Sequence, residues 1–463
     1  MVVTDTFPPI NKVGVHRTVG LCRGLTEKGW HVTVITARPT AHSPVDPGLL
    51  ADVPPTVRIV RTAAPDVLLL AASMTRRQAR TTVPKDWAAA GVPLRSPMAG
   101  GCSLRTAKDW LSRWLRLPDG RVGWFLPAVW AGLREDARRR PDVLFSSAPS
   151  WTSHLVAGAL SHLLRVPWVA DFRDPWSGSA FRRFPYAAHR RVDEWLEDQV
   201  VRQATRVTCA WDGIRQHLTR RYPRRAGHIH TILNGFDPEQ IDSVEAVYLD
   251  RCHCVLVHTG SFYGPRNPIA FFKGLRYLQD KWPDAASHLR VFLIGDPTYN
   301  GQPLQRLLEE SGVGDLASLV SPLPHREALA VLKGADVALL FGQSGIASLA
   351  SVPAKVYEYV GARRPVLAIG AGQEASDIMR HGGCRVWTVA DGNPGEIATV
   401  LQTIAADHQR GNLGARVDET ARLRFSRERM AEGLESMLRA SIEAWSGRRR
   451  DRSGKASPGD RLA

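Results

Sequence analysis

Lys355 and Glu358 stand three residues apart in the stretch Ser351 to Gly370, SVPAKVYEYVGARRPVLAIG. The residues around them signal a buried strand from Asp336 to Phe341, a small-residue loop, a helix from Pro353 to Gly361 and a further strand from Pro365 to Ile369. Pro suits the first helical position and Gly the stop. A helix starting after such a strand leaves free backbone N–H groups, here near Ala354 and Lys355, in the crevice at the strand ends where anions bind. Lys355 adds a mobile positive charge there. Glu358 lies on the same helix face, roughly 4.5 Å further along the axis. That separation is close to the one between a diphosphate and the hydroxyls of its ribose, so the pair reads as a grip for a nucleotide sugar. On a plain surface helix the same two residues would only face water.

The elements that would position this pair alternate along the whole chain. Strands are expected at Met1 to Asp5, His31 to Thr36, Val57 to Arg61, Asp142 to Ser146, Pro167 to Phe172, Arg206 to Ala210 and His230 to Leu233, which makes a doubly wound α/β domain over 1–235. Asp66 to Arg140 breaks the alternation and reads as a helical, Trp-rich and Arg-rich insertion. Turn signals between Asn234 and Arg251 mark a linker. A second domain over 236–425 then brings strands at Val255 to His258, Val291 to Ile294, Leu316 to Val320, Val337 to Phe341, Val366 to Ile369 and Arg385 to Val389, with Asn267-Pro268 capping its first helix. An amphipathic helix over 426–446 is expected to cross back over both domains. The basic stretch 447–463 reads as a disordered tail.

At 463 residues, 44% hydrophobic and 23% charged, the chain is long enough for two or three well-formed cores. Its net charge of +16 calls for an anionic partner. Basic residues dominate between Arg76 and Arg140, interleaved with Trp87, Trp110, Trp114, Trp124 and Trp130, a mixture that suits an anionic lipid headgroup layer. Neither a recognition helix nor an aromatic RNA platform is present, so no nucleic acid is expected. No apolar run approaches a membrane span and no leader-type segment opens the chain, which gives a cytoplasmic expectation, at most peripheral at the inner face of the membrane. The six cysteines are scattered, mostly in apolar patterns, as reduced buried thiols are. Cys252-His253-Cys254 lacks a second pair at zinc-finger spacing, so no metal is expected.

The landmarks FPPINKVGVHR (Phe7 to Arg17), DFRDPWS (Asp171 to Ser177), ILNGFD (Ile232 to Asp237), HTGSFYGPRNP (His258 to Pro268), LPHREAL (Leu323 to Leu329) and PAKVYEYVGARRPVLA (Pro353 to Ala368) follow one another in an order that resembles the retaining glycosyltransferases of family four with the GT-B fold. The resemblance covers nearly the whole chain. It implies two Rossmann-like domains facing a central cleft, the second holding a nucleotide-diphosphate sugar and the first the acceptor, with no bound cofactor. Donor contacts would come from Gly14, Gly260, Ser261, Arg266, Lys355, Glu358 and His325, and acceptor contacts from Asp171, Arg173 and Asp174. Arg266, Lys355, Asp171 and Arg173 would carry the catalysis. The chain departs from the family pattern at Ala350, where a glutamate is common, at Ser261 in place of Arg, at Asn267 in place of Lys, and at Arg173 in place of His.

Transfer from such a donor puts negative charge on the leaving diphosphate, and stabilising that charge is the main catalytic task. Arg266, with its planar fork, and Lys355 would do this without a divalent metal. Asp171 and Arg173 would orient hydroxyls, unless Asp171, Arg173 and Asp174 form a buried ion pair that pins a loop. The acceptor would be lipid-linked or a polysaccharide in envelope synthesis, or a small metabolite; a catalytically silent scaffold is the reading from another class.

Overall fold

The structure, a computed structural model, describes residues 1–40, 43–65, 114, 116–177, 184, 186–264, 266–342, 352–414 and 418–454. Two parallel sheets organise it. The first contains β1 (Val2–Val3), β2 (Thr33–Ala37), β3 (Arg58–Thr62), β4 (Leu144–Ala148), β5 (Trp168–Phe172), β6 (Arg206–Cys209) and β7 (Ile229–Thr231), in the order β3-β2-β1-β4-β5-β6-β7. The second contains β8 (Cys254–Thr259), β9 (Leu289–Ile294), β12 (Ala317–Val320), β13 (Val337–Phe341), β14 (Val366–Ile369) and β15 (Val386–Val389), in the order β12-β9-β8-β13-β14-β15. A small antiparallel hairpin, β10 (Thr298–Tyr299) with β11 (Gln302–Pro303), projects after β9. Each sheet reverses its winding between its first strand and the neighbour that follows later in the chain. Ligands in doubly wound sheets collect at that switch point, outside the C-terminal strand ends.

The central strands are mostly apolar because helices cover both faces, with polar residues such as Ser146, Asp171 and His258 set towards their C-terminal ends. In β8, Leu256 packs into one core with Phe271, Leu275 and Leu339, while Val255 and Val257 pack into another with Ile294 and Val331. In β13, Ala338 to Phe341 pair in register with Val366 to Ile369. The helix Arg427–Gly454 sends Met430, Leu434 and Leu438 into the first domain against Val15, Val19 and Ile232. It extends beyond the expected end near Trp445 and takes in the start of the stretch read as a tail; residues 455–463 lie outside the described residues.

Most of the expected Trp/Arg insertion, residues 66–113, with Trp87 and Trp110, also lies outside the described residues. The rest corrects the uniform reading of its tryptophans. Trp124 is core, and its indole N–H donates to Thr62 Oγ1 at 2.7 Å. Trp114 sits against the His189 ring, with centroids 4.1 Å apart. Trp130 alone among these three points outward, with Leu126 and Leu133 beside it on the helix Phe125–Arg138.

Each domain buries a histidine within its core. His154 accepts or donates at Ser146 Oγ (2.8 Å), and His258 meets the Leu339 carbonyl at 3.0 Å between Phe262 and Phe341. Burial lowers both from the ordinary 6.5 to about 3. The unfolded chain protonates these rings below pH 6.5 while the native state keeps them neutral, so stability falls as pH drops from 6.5 towards 3. Two such groups titrating together make the fall steeper than one would alone, at most about 3 kcal/mol per pH unit. Urea midpoints measured from pH 7.5 down to 5 should fall on this account, and His258→Gln should flatten the fall. A midpoint independent of pH would contradict the neutral burial of both rings.

Candidate functional site

The strand ends of the second sheet bring the expected donor residues together. After β8 the chain runs through Gly260 and the exposed Ser261 into a turn, Tyr263 to Arg266, closed by the Arg266 N–H donating to the Tyr263 carbonyl at 3.1 Å. The Arg266 guanidinium lies over the Tyr263 ring at 4.9 Å, and its Nε is buried without a hydrogen-bond partner among the described residues. Lys355 crosses the same loop. A Cβ at Gly260 would sit 2.6 Å from Lys355 Cε, so glycine here is what lets the lysine stem pass. Lys355 Nζ donates to Thr259 Oγ1 at 3.4 Å, a weak bond. Burial lowers the Lys355 pKa, the nearby Glu358 carboxylate works against that, and the Arg266 charge adds to it.

The helix behind Lys355 runs Lys355–Gly361, two residues later than expected, because Val356 and Tyr357 make their first bonds back to Pro353 and Ala354. Asn267 likewise caps one residue further on: its Oδ1 accepts from Ile269 N–H at 2.9 Å, and Pro268 takes the cap position. Glu358, half-buried, places Oε1 4.0 Å from His325 Nε2. His325 is the first residue of the helix His325–Gly334 and is exposed. Its ring centroid is 5.9 Å from that of His16, on the first helix (Val13–Glu27) of the other domain. Burial, then the Arg427 and His325 charges, lower His16, with Glu358 opposing. The donor candidates Gly260, Ser261, Arg266, Lys355, Glu358 and His325 therefore share one face of the second domain, with His16 opposite. Ala350 lies outside the described residues.

The first-domain candidates are placed differently from expectation. Asp171 is 0% exposed, and four donors fill its carboxylate: Arg17 Nε (3.1 Å), Arg17 Nη2 (2.7 Å), Ser147 Oγ (2.9 Å) and Thr208 Oγ1 (2.8 Å). Burial alone would raise this carboxyl, but the Arg17 charge and these hydrogen bonds hold it below the ordinary carboxylate range. A saturated, buried carboxylate has no lone pair to offer an acceptor. Arg173 is committed as well, to the carbonyls of Gly14 (2.5 Å), Ala148 (3.3 Å) and Pro149. Gly14 is needed for that contact, since a Cβ there would fall 2.1 Å from Arg173 Nη1. Its expected role beside the sugar or phosphate gives way to making room for a guanidinium. Asp174 is the member of the trio that is exposed.

Several contributors carried no role in the sequence reading. Arg17 closes the FPPINKVGVHR landmark, and besides Asp171 its Nη1 reaches Asn234 Oδ1 at 2.8 Å, on the crossing between domains. Glu374, at the start of the helix Gln373–His381, accepts from the backbone N–H groups of Asp212 and, at 2.9 Å, of Gly213 in the first domain. No local spacing signals either pairing. Cys252, His253 and Cys254 do not converge: Cys252 is exposed, His253 bonds to Asp250 at 2.8 Å, and Cys254 is buried. Cys254 lies near Asp336 and His408, their ligand-type atoms within 4.8 Å of one another, at the N-terminal edge of the second sheet and away from Lys355.

Comparison with known proteins bears on the fold and the family likeness. The family model described as Glycosyltransferase Family 4 matches residues 97–240. D-inositol 3-phosphate glycosyltransferase 2 of Catenulispora acidiphila is 26% identical over 258 residues, covering 53% of this chain and 58% of that protein, so the chain spans under two thirds of the length of this relative. Among solved structures, sucrose-phosphate synthase from Thermosynechococcus elongatus superposes with a TM-score of 0.60 at 15% identity, covering 96% of this chain and 98% of the other. HepE from Anabaena, solved with UDP, gives a TM-score of 0.59 at 14% identity, over 91% and 96%. The GT-B fold expected from the sequence is borne out.

The Arg17–Asp171 pair yields a stability test. Breaking a buried pair by removing one partner strands a charge and costs roughly 3–5 kcal/mol. Arg17→Met and Asp171→Leu should each lower the urea midpoint strongly, and the double variant should lose much less than the two losses added. Additive losses would mean that the two residues act independently.

Proposed function

We propose that this chain, a relative of the family-four glycosyltransferases with the GT-B fold, moves a sugar from a nucleotide-diphosphate sugar to an acceptor hydroxyl with retention at the anomeric carbon. The observation that carries the reading is the convergence of Lys355 and Arg266, two cations with Glu358 as their carboxylate neighbour, at the C-terminal strand ends of the second sheet. Two partly desolvated cations repel each other, and a diphosphate between them would relieve that cost. HepE has been solved with UDP and with UDP-glucose, which supports a nucleotide-sugar donor.

In this reading Arg266 and Lys355 take up the charge that grows on the leaving diphosphate. Low local polarity strengthens both interactions. Glu358 accepts from the donor ribose, and His325 lies beside it towards the base. The departing phosphate oxygen takes the acceptor proton on the same face, so no enzyme carboxylate serves as nucleophile and no divalent metal is required. With Asp171 and Arg173 committed to the protein, Asp174 and His16 are the first-domain groups proposed to meet the acceptor.

The proposed setting is a cytoplasmic enzyme of envelope or extracellular polysaccharide synthesis, docked peripherally on an anionic membrane. No helix among the described residues is long and apolar enough to cross a membrane. On the helix Phe125–Arg138, Leu126 is 73% and Trp130 60% exposed, with Leu133 on the same face and Arg134 stacked on Trp130 at 4.5 Å. Apolar side chains with basic neighbours suit a headgroup layer. They favour a lipid-linked or polysaccharide acceptor over a small metabolite.

Two outcomes follow. Lys355→Ala and Glu358→Gln should each weaken nucleotide-diphosphate binding about tenfold or more, the worth of a charged hydrogen bond, with circular dichroism unchanged and wild-type turnover persisting in EDTA. Unaltered affinity in both variants, or activity lost in EDTA and restored by magnesium, would defeat the corresponding part of the reading. Sedimentation with anionic liposomes should exceed that with neutral ones, weaken with salt, and fall in Leu126→Ser/Trp130→Ser. Equal, negligible sedimentation with both at low salt would exclude membrane docking.

A further inference from the structure

The turn that carries Arg266 does not hold its shape alone. Its second residue, Gly264, has φ +55°, in the left-handed region that glycine tolerates best. Both backbone groups of Gly264 are gripped by the small hairpin after β9. The Gly264 N–H donates to Asn300 Oδ1 at 3.0 Å, and the Tyr299 hydroxyl donates to the Gly264 carbonyl at 3.1 Å. The hairpin is itself anchored. Asp296 accepts from the N–H and hydroxyl of Thr298 at 2.9 and 2.7 Å, and the Tyr299 ring is buried in the second-domain core. Asn300 also has a positive φ, +49°, so the backbone spends conformational energy to present that side chain.

We propose that the hairpin Thr298–Pro303 is a clamp on the Arg266 turn, and that Tyr299 and Asn300 are positioning residues for the anion site. This rests on the reading that Arg266 binds the donor diphosphate. The guanidinium has a ring beneath it, an unsatisfied buried Nε and no carboxylate partner among the described residues, so its direction follows the backbone of its turn. Binding sites held by a rigid supporting shell lose affinity when that shell loosens, even though no ligand contact is removed. Neither Tyr299 nor Asn300 need touch the ligand.

The decisive variants are Tyr299→Phe, which removes only the hydroxyl, and Asn300→Gly, which removes the acceptor while keeping the positive φ free of strain. Asn300→Asp retains an acceptor and serves as the conservative rescue. Amide hydrogen exchange across 262–266 reports the clamp directly, and titration with inorganic pyrophosphate and UDP reports the anion site. The double variant Tyr299→Phe/Asn300→Gly should exchange faster in that segment and bind both probes roughly three- to tenfold more weakly, the worth of one or two ordinary hydrogen bonds. Asn300→Asp should stay near wild type. In an Arg266→Ala background the same changes should produce no further loss. Unchanged exchange in the double variant would overturn the clamp. Faster exchange with undiminished affinity, where Arg266→Ala does weaken binding, would overturn the positioning role alone. If Arg266→Ala leaves both affinities intact, the diphosphate reading of Arg266 fails first and the positioning role falls with it.

Discussion

The buried ion pair between Arg17 and Asp171 is the constraint on which the first domain's face of the cleft depends. It joins the first helix to the end of β5, and through Ser147 and Thr208 it reaches the flanking strands β4 and β6. Arg17 also holds Asn234, so the chain leaves the first domain at a fixed point. A carboxylate out of water is costly unless every lone pair is met, and here each is. Removing the partner would leave a charge in a place that water does not reach. The pair is therefore weak as a source of net stability and strong as a source of uniqueness, because competing arrangements of these five segments would strand one charge or the other.

The strands were legible from the sequence because parallel strands covered on both faces are continuous apolar runs. The strands expected to start at Asp336 or Val337 and at Pro365 or Val366 are observed as Val337–Phe341 and Val366–Ile369, within one residue of either reading. Ends were less legible. Met1 to Asp5 shortens to Val2–Val3: the Thr4 N–H and the Asp5 carbonyl still bond to β2, but the Asp5 N–H turns to Ser153 Oγ. The placement of Lys355 and Glu358 on one short helix was legible too, as the two are close in sequence and the helix between them fixes their spacing. Asp171 and Arg173 were misread for the opposite reason. Residue type and strand-end position are the same for a catalytic carboxylate and for a structural one. What separates them is the partner set, and Arg17 and Thr208 stand 154 and 37 residues away. Local pattern carries no information about such pairings.

The two domains meet through polar contacts of modest strength. Glu374 caps backbone N–H groups of the helix Asp212–Arg221, and burial raises its carboxyl above the ordinary range. His16 and His325 face each other without a direct hydrogen bond in this arrangement. Against these, the helix Arg427–Gly454 packs apolar residues firmly on the first domain, and Arg427 N–H bonds to the Phe236 carbonyl at the crossing. The covalent crossing and this helix form the persistent connection, while the cleft contacts are of the exchangeable kind that domain motions use.

Among the described residues, Arg17, Arg173, Lys355 and Arg266 lie towards the cleft, and their partners decide which of them can serve a charged ligand. Arg17 is neutralised by a buried carboxylate, and Arg173 spends its donors on three backbone carbonyls. An anion approaching either would have to displace contacts that hold the first domain together. Lys355 makes one long bond to a hydroxyl, and Arg266 keeps a buried Nε without a partner. For these two an incoming anion would supply hydrogen bonds and charge balance that their partners among the described residues do not. Under the proposed reaction the diphosphate then lies on the second domain, and the first domain is left to present polar but uncommitted groups, Asp174 and His16, to the acceptor. The division of labour between the domains thus follows from which positive charges are already spent.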